Sequence, residues 1–303
     1  MYPTPEQIAV AAYYRWQRRG LSHGRAQEDW DAAAKDLTFG LNYRWAVRHS
    51  LRAAGDGSGL VRLGEVAGQP RRCRFCERSA PAAQFEGQHW ALPPSVGNSA
   101  LLAWDECDEC RAQYDAHLAG PFEQFVRPLL ADEPEMPDPA LGVPVLALKA
   151  LVRMGLSIVP AAEQHHFDDA VEWVNNPDPE RDTALLLGLG CHVYVTPATV
   201  PAPFASLARR SDDSAAMPYM LFFLGTNRVV LQTHLPFCPR DEDLDDQPDD
   251  LRGPSLSMSL GAGINHQPSR VTFLPVVAPA VPLTPSPVEA AFGREFPRAA
   301  GVK

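Results

Sequence analysis

Apolar side chains change their period along this chain, and the changes mark its elements. Ile8, Ala12 and Trp16 recur at helical spacing before Gly20. Thr4, Pro5 and Gln7 supply an N-cap, a first-turn proline and a capping box for that helix. Glu28 and Asp29 suit the acidic first turn of a second helix, striped by Trp30, Ala33, Ala34 and Leu37. Its pattern can run on through Tyr43, Trp45 and Val47 to about Leu51 unless Gly40 interrupts it, and residues 55–59 form a glycine-rich break. Beyond Pro144, residues 145–159 predict an apolar helix with Lys149 and Arg153 on one face, ended by Pro160. Phe167, Ala170, Val171 and Val174 predict the next helix, closed by Asn175, Asn176 and Pro177. The pattern then turns to strands at 192–196, 219–224, 228–234 and 271–277, with Gly225, Thr226 and Asn227 as a three-residue hairpin loop.

Helices first and an antiparallel sheet after give the α+β class in several domains. The expected division is a helical accessory segment over 1–54, a cysteine module over 71–131, an α+β domain over 141–282 and an irregular tail over 283–303. The prolines, 30 in 303 residues, cluster near these boundaries.

The cysteine module carries the clearest chemistry. Cys73 and Cys76 form one Cys-x-x-Cys pair, Cys107 and Cys110 another. Four thiolates at this spacing can close a tetrahedral site around one structural zinc ion. Arg72, Arg74 and Arg78 favour thiolates over thiols at the first pair. The 30 residues between the pairs exceed what a simple zinc ribbon needs, so the insert has room for a hairpin that displays further groups, His89 and Asn98 among them.

Charge and composition adjust the picture only slightly. A net charge of −10 weighs against a general nucleic-acid coat protein, yet residues 1–72 hold eleven Lys/Arg against seven Asp/Glu, and a local basic face is compatible with nucleic acid. The segment 241–250 holds seven acids and reads as a solvated loop. There is no apolar run of about 18 residues and no basic head followed by an apolar stretch at the start, so the expectation is a cytoplasmic protein without a membrane partner. His165, His166, Asp168 and Asp169 read as a solvated helix start before a metal site, and Cys191 and Cys238 as core cysteines.

Two resemblances add to this. Ala12, Tyr13, Trp16, Gly20, Asp29 and Trp30 follow the pattern of a short bacterial helical domain of unknown function, over roughly residues 5–37. In the cysteine module the order Cys73, Cys76, Phe85, His89, Pro93, Gly97, Asn98, Asp105, Glu106, Cys107, Cys110 resembles the HNH endonuclease family, of the four-cysteine treble-clef type. The resemblance implies a zinc-bound ββα module acting on DNA. It implies His89 as the general base that activates water, Asn98 as the residue that orients it or helps hold a magnesium or manganese ion, and a zinc that stays structural. Arg111 departs from the pattern: it stands where the family has Asn or His, and a guanidinium offers no lone pair to a metal. Asp115 and His117 are the nearby substitutes. The competing reading is a catalytically degenerate zinc module for binding nucleic acid or protein, and the C-terminal domain is a candidate surface for a protein partner.

Overall fold

The computed structural model describes residues 2–53, 59–176, 189–211, 217–244 and 270–277. The expected tail over 283–303 and most of the acidic segment 241–250 lie outside the described residues. Helices α1 (Pro5–Arg18) and α2 (Ala26–Asn42) form an antiparallel pair. Thr4 and Gln7 make the reciprocal capping box that the sequence predicts. Little of this pair is core: no residue of α1 is buried. Arg15–Asp36 and Arg19–Asp29, each 2.5 Å, tie the two helices together.

The second helix does not run on to Leu51. It ends at Asn42, and Tyr43–Ser50 is strand β1. Tyr43, Trp45 and Val47 lie two apart, which is the period of a strand. Arg44, Ala46 and Arg48 between them are exposed. A bulge between Trp45 and Val47 then shifts the register. Trp45 consequently packs in the cluster on one face of the sheet, and Val47 against the main core on the other.

That sheet has the order β1-β6-β7-β8-β5-β9-β4, with β4 Val143–Pro144, β5 Gly190–Val195, β6 Phe204–Arg210, β7 Met220–Thr226, β8 Val229–His234 and β9 Arg270–Val277. All neighbours are antiparallel except the short β4–β9 pair. The four expected strands are present. The β7–β8 loop is tighter than expected: β7 continues through Gly225 and Thr226, and the turn is Asn227 and Arg228, with Asn227 at φ 48°. Asn tolerates that left-handed backbone, and Asn227 Nδ2 also donates to the Leu130 carbonyl. β6 was not expected from the pattern.

Helix α5 (Val145–Ser157) crosses one face of the sheet and is buried along almost its whole length. A helix apolar on every side belongs inside a protein, and this one has the sheet on one side and the cysteine module and α6 (Asp168–Asn175) on the other. Its two cations are buried as well. Lys149 lies over the Trp173 ring of α6 and donates to the Asn176 carbonyl. Asp241, the first acid of the supposedly solvated run, is also buried, where it accepts from Tyr219 N and faces Arg210. Cys191 and Cys238 are buried, in keeping with a core role.

His234 at the end of β8 is enclosed, and burial together with repulsion from His192 pushes its imidazole down to about 4. An unfolded histidine titrates near 6.5. Between those values the unfolded chain binds a proton that the folded chain refuses, so stability falls as pH falls through this window, by on the order of 3 kcal/mol in all. Urea unfolding at pH 7 and pH 4.5 measures it. His234→Gln flattens the pH dependence relative to the parent chain; an unchanged slope means that His234 accepts its proton in the fold.

Candidate metal centre

Cys73 and Cys76 sit in a tight turn flanked by the Arg72–Ser79 bridge, with Cys73 N donating to the Arg78 carbonyl and Glu77 N to Cys73 O. The chain then reaches a short antiparallel ladder, in which Ala91 N donates to Leu101 O and Ala103 N to His89 O around the Trp90–Leu102 bridge. β3 (Leu101–Ala103) pairs in parallel with β2 (Val61–Leu63). Cys107 caps α3 (Asp108–Tyr114), and Cys110 lies in its first turn. This is the knuckle, hairpin and helix order of a treble clef.

The four sulfurs converge. All lie within 4.8 Å of one another, and Cys76 and Cys107 are 3.6 Å apart. Tetrahedral zinc with bonds of about 2.3 Å needs sulfurs about 3.8 Å apart, so the donor set and spacing fit one zinc ion. Cys107 N donates to Cys73 Sγ at 3.4 Å, and Arg78 Nε to Cys76 Sγ at 3.4 Å. A hydrogen bond from the Cys110 thiol, opposed by burial and helped by backbone N–H groups, pulls Cys73 down to about 4. Burial pushes Cys107 up to about 12. A bound cation replaces this proton sharing by holding all four as thiolates. Among the described residues, no other group of three or more His, Cys, Asp or Glu side chains converges in this way.

His89 is on the first arm of the hairpin, where its Nε2 is 2.6 Å from Asp108 Oδ1. Asp108 also accepts from Glu86 N and Gly87 N. Against the desolvation of its position, these N–H groups and His89 hold Asp108 below the usual carboxylate range. Gly87 is needed here, because a Cβ on it would stand 2.4 Å from His89 Cε1.

Asn98 does not join them. It is 3 % exposed, and its amide is fully engaged by its own loop. Nδ2 donates to the Leu92 and Leu101 carbonyls, and Oδ1 accepts from Ala100 N and Leu101 N, all at 2.8–3.1 Å. Two donors and two lone pairs are the whole capacity of an amide. Arg111 is likewise fixed, donating to the Trp90 carbonyl, pairing with Asp115 at 3.0 Å and lying over Tyr114. Asp115 is therefore engaged by Arg111, and His117 lies exposed on the π-helical turn Asp115–Ala119 that leads into α4 (Gly120–Val126).

Three pairings are not legible in the sequence: Asp108 under His89, and the ion pairs Arg74–Asp105 at 2.7 Å and Arg153–Glu106 at 2.6 Å. The acidic residues around the second cysteine pair were visible as a type; their partners lie 31 and 47 residues away in sequence.

A family model described as protein of unknown function (DUF2934) matches residues 3–38. It covers the α1–α2 pair almost to its end and coincides with the N-terminal resemblance; it stops short of the cysteine module. No curated protein and no solved structure matches the chain. The likeness of the cysteine module to HNH nucleases therefore rests on its own residues.

Proposed function

We propose that residues 71–131 are a zinc-structured binding module, in which the ion builds the fold and the former catalytic positions serve the structure. The observation that supports this reading is the full engagement of Asn98 by four backbone groups. A residue meant to orient a base or hold a second metal keeps part of its amide free, and this one ties Leu92 to the start of β3 instead, with Arg111 tied down at the other position. The zinc would be held by Cys73, Cys76, Cys107 and Cys110, and it supplies cross-linking of the knuckle to α3.

A second reading is favoured by the His89–Asp108 contact. A carboxylate fixes the tautomer and orientation of an imidazole, leaving Nδ1 as a candidate proton acceptor, which is what a general base requires. In that case the chain hydrolyses DNA with His89 as base and a magnesium or manganese ion.

Incubation of zinc-loaded protein with supercoiled plasmid and either divalent ion separates the two. The binding-module reading expects about one zinc per chain and no nicking. Nicking that disappears in His89→Ala overturns it and establishes the nuclease.

A further inference from the structure

A cavity of about 360 Å³ opens between the knuckle side of the cysteine module and the start of α6, lined among others by Arg71, Arg72, Trp104, Gln69, His165 and Asp168. This is within the range of small-molecule sites. The state of Arg71 sets it apart from the other cations of the module. Its Nε donates to the Trp104 carbonyl at 2.8 Å and its Nη1 to the Phe85 carbonyl at 2.7 Å. Its guanidinium lies 4.0 Å from the Trp104 ring centroid and 4.8 Å from that of Phe85. Arg62 lies over Trp104 at 4.6 Å, so guanidinium and aromatic groups alternate along this edge.

Arg71 is therefore held in one orientation by two carbonyls and two rings, yet it makes no ion pair among the described residues. Its neighbours are already neutralised: Arg72 pairs with Glu77 at 2.9 Å, and Arg74 with buried Asp105. Asp108 and Asp105 act on Arg71 through space, but among the described residues neither comes within ion-pair distance, and its Nη2 has no hydrogen-bond partner there. A fixed, partly desolvated guanidinium beside a cavity is suited to an oxyanion, because the ordering of the side chain is done before the ligand arrives. Across the cavity, His165 is a further donor, and Asp168, one of the exposed acids at the start of α6, is an acceptor suited to hydroxyl groups. Val66, Pro70 and Trp104 give it an apolar side.

We propose that this cavity binds a nucleoside phosphate, with the phosphate on Arg71 and the sugar hydroxyls toward Asp168. The same chemistry is presented by a free nucleotide and by the phosphorylated end of a nucleic-acid strand. The proposal rests on the binding-module reading and names its ligand. The two fail separately: nicking of plasmid concerns His89, whereas this site lies on Arg71 and the face of α6.

Titration calorimetry of the full zinc-loaded chain tests it, with adenosine 5′-monophosphate, adenosine and a 5′-phosphorylated trinucleotide as probes. The nucleotide is expected to bind at least about tenfold more tightly than adenosine, since a charge-assisted hydrogen bond to phosphate is the main contact. Arg71→Gln should weaken it about tenfold or more. Because Arg71 also links Trp104 to Phe85, Ala161→Trp serves as a second variant: it fills the cavity from an exposed position on the far wall and leaves Arg71 intact. Loss of nucleotide binding in both variants, with zinc content unchanged, supports the site. A trinucleotide that binds more tightly than the mononucleotide identifies a strand end, and one that does not identifies a free nucleotide. Equal binding of adenosine, no binding of either phosphate probe at millimolar concentration, or full binding in Ala161→Trp overturns the proposal.

Discussion

Cys110→Ser is expected to lose stoichiometric zinc and to unfold the cysteine module together with the helices packed on it. Structural zinc sites contribute on the order of 10 kcal/mol of apparent folding free energy to small modules, which is comparable with the whole stability of an ordinary domain. The loss does not stay local. Cys110 sits in the first turn of α3, its carbonyl accepts from Arg153 Nη2, and its neighbour Glu106 pairs with the same guanidinium. The core is also continuous: Cys73, Cys107 and Cys110 belong to one apolar cluster with α5 and the inner face of the sheet. Removing the ion should thus lower the thermal midpoint of the sheet as well as that of the module. Metal analysis and differential scanning calorimetry of the parent and the variant check this. A variant that keeps one zinc means that Cys110 is not a required ligand, and one that loses it and melts as the parent does means that the fold does not depend on the metal.

Breaking the Arg153–Glu106 pair should have the next largest effect. Both side chains are about 95 % buried or more, and they meet at 2.6 Å. Arg153 also donates to Asn175 Oδ1 and stacks 3.5 Å from the Phe75 ring centroid. Arg153→Ala leaves the Glu106 carboxylate buried without its cation, which costs about 3–5 kcal/mol. Chemical denaturation measures the change. The double variant Glu106→Leu with Arg153→Met should recover part of the loss, because an apolar pair removes the stranded charge. A single variant within about 0.5 kcal/mol of the parent means that water reaches Glu106 once Arg153 is gone.

These two interactions also show which parts of the protein can be read from its sequence. The cysteine pairs are legible because metal-ligand spacing is local: each Cys-x-x-Cys closes its own turn, and only the meeting of the two turns needs the fold. The Thr4 capping box and the apolar helix α5 are legible for the same reason. β1 is hard to read because Gly40, the residue that could mark a break, lies inside the helix, and Tyr43, Trp45 and Val47 follow the helix end at Asn42 directly. β6 was missed because Phe204–Arg210 includes small and charged residues that a sheet interior accepts only once neighbours are in place on both sides.

The roles of His89 and Asn98 lie at the other extreme. Their order in the chain resembles a nuclease motif, but the role of each depends on its partners. Asp108 under His89 and four backbone groups around Asn98 are set by the path of the hairpin, which residue types do not encode. Arg71 is one of several arginines near the knuckle, and that no carboxylate of the described residues reaches ion-pair distance of it is visible only after Arg72 and Arg74 have found their partners.

By itself the sequence determined the α+β class, the helical pair at the start, the metal-binding potential of Cys73, Cys76, Cys107 and Cys110, and the apolar helix after Pro144. Those follow from periodicity, capping and ligand spacing, which act over a few residues at a time. Tertiary structure decided that β1 joins the sheet beside β6, that the buried Arg153–Glu106 pair and the donation from Arg74 to the Leu156 carbonyl fasten the cysteine module to α5, that the amide of Asn98 is closed off, and that no carboxylate of the described residues reaches ion-pair distance of Arg71 beside the cavity. The partners of Asn98 lie within six residues of it and depend on the path of its loop; the others depend on groups tens of residues apart in the chain coming together, and only the packing of the whole core fixes such distances.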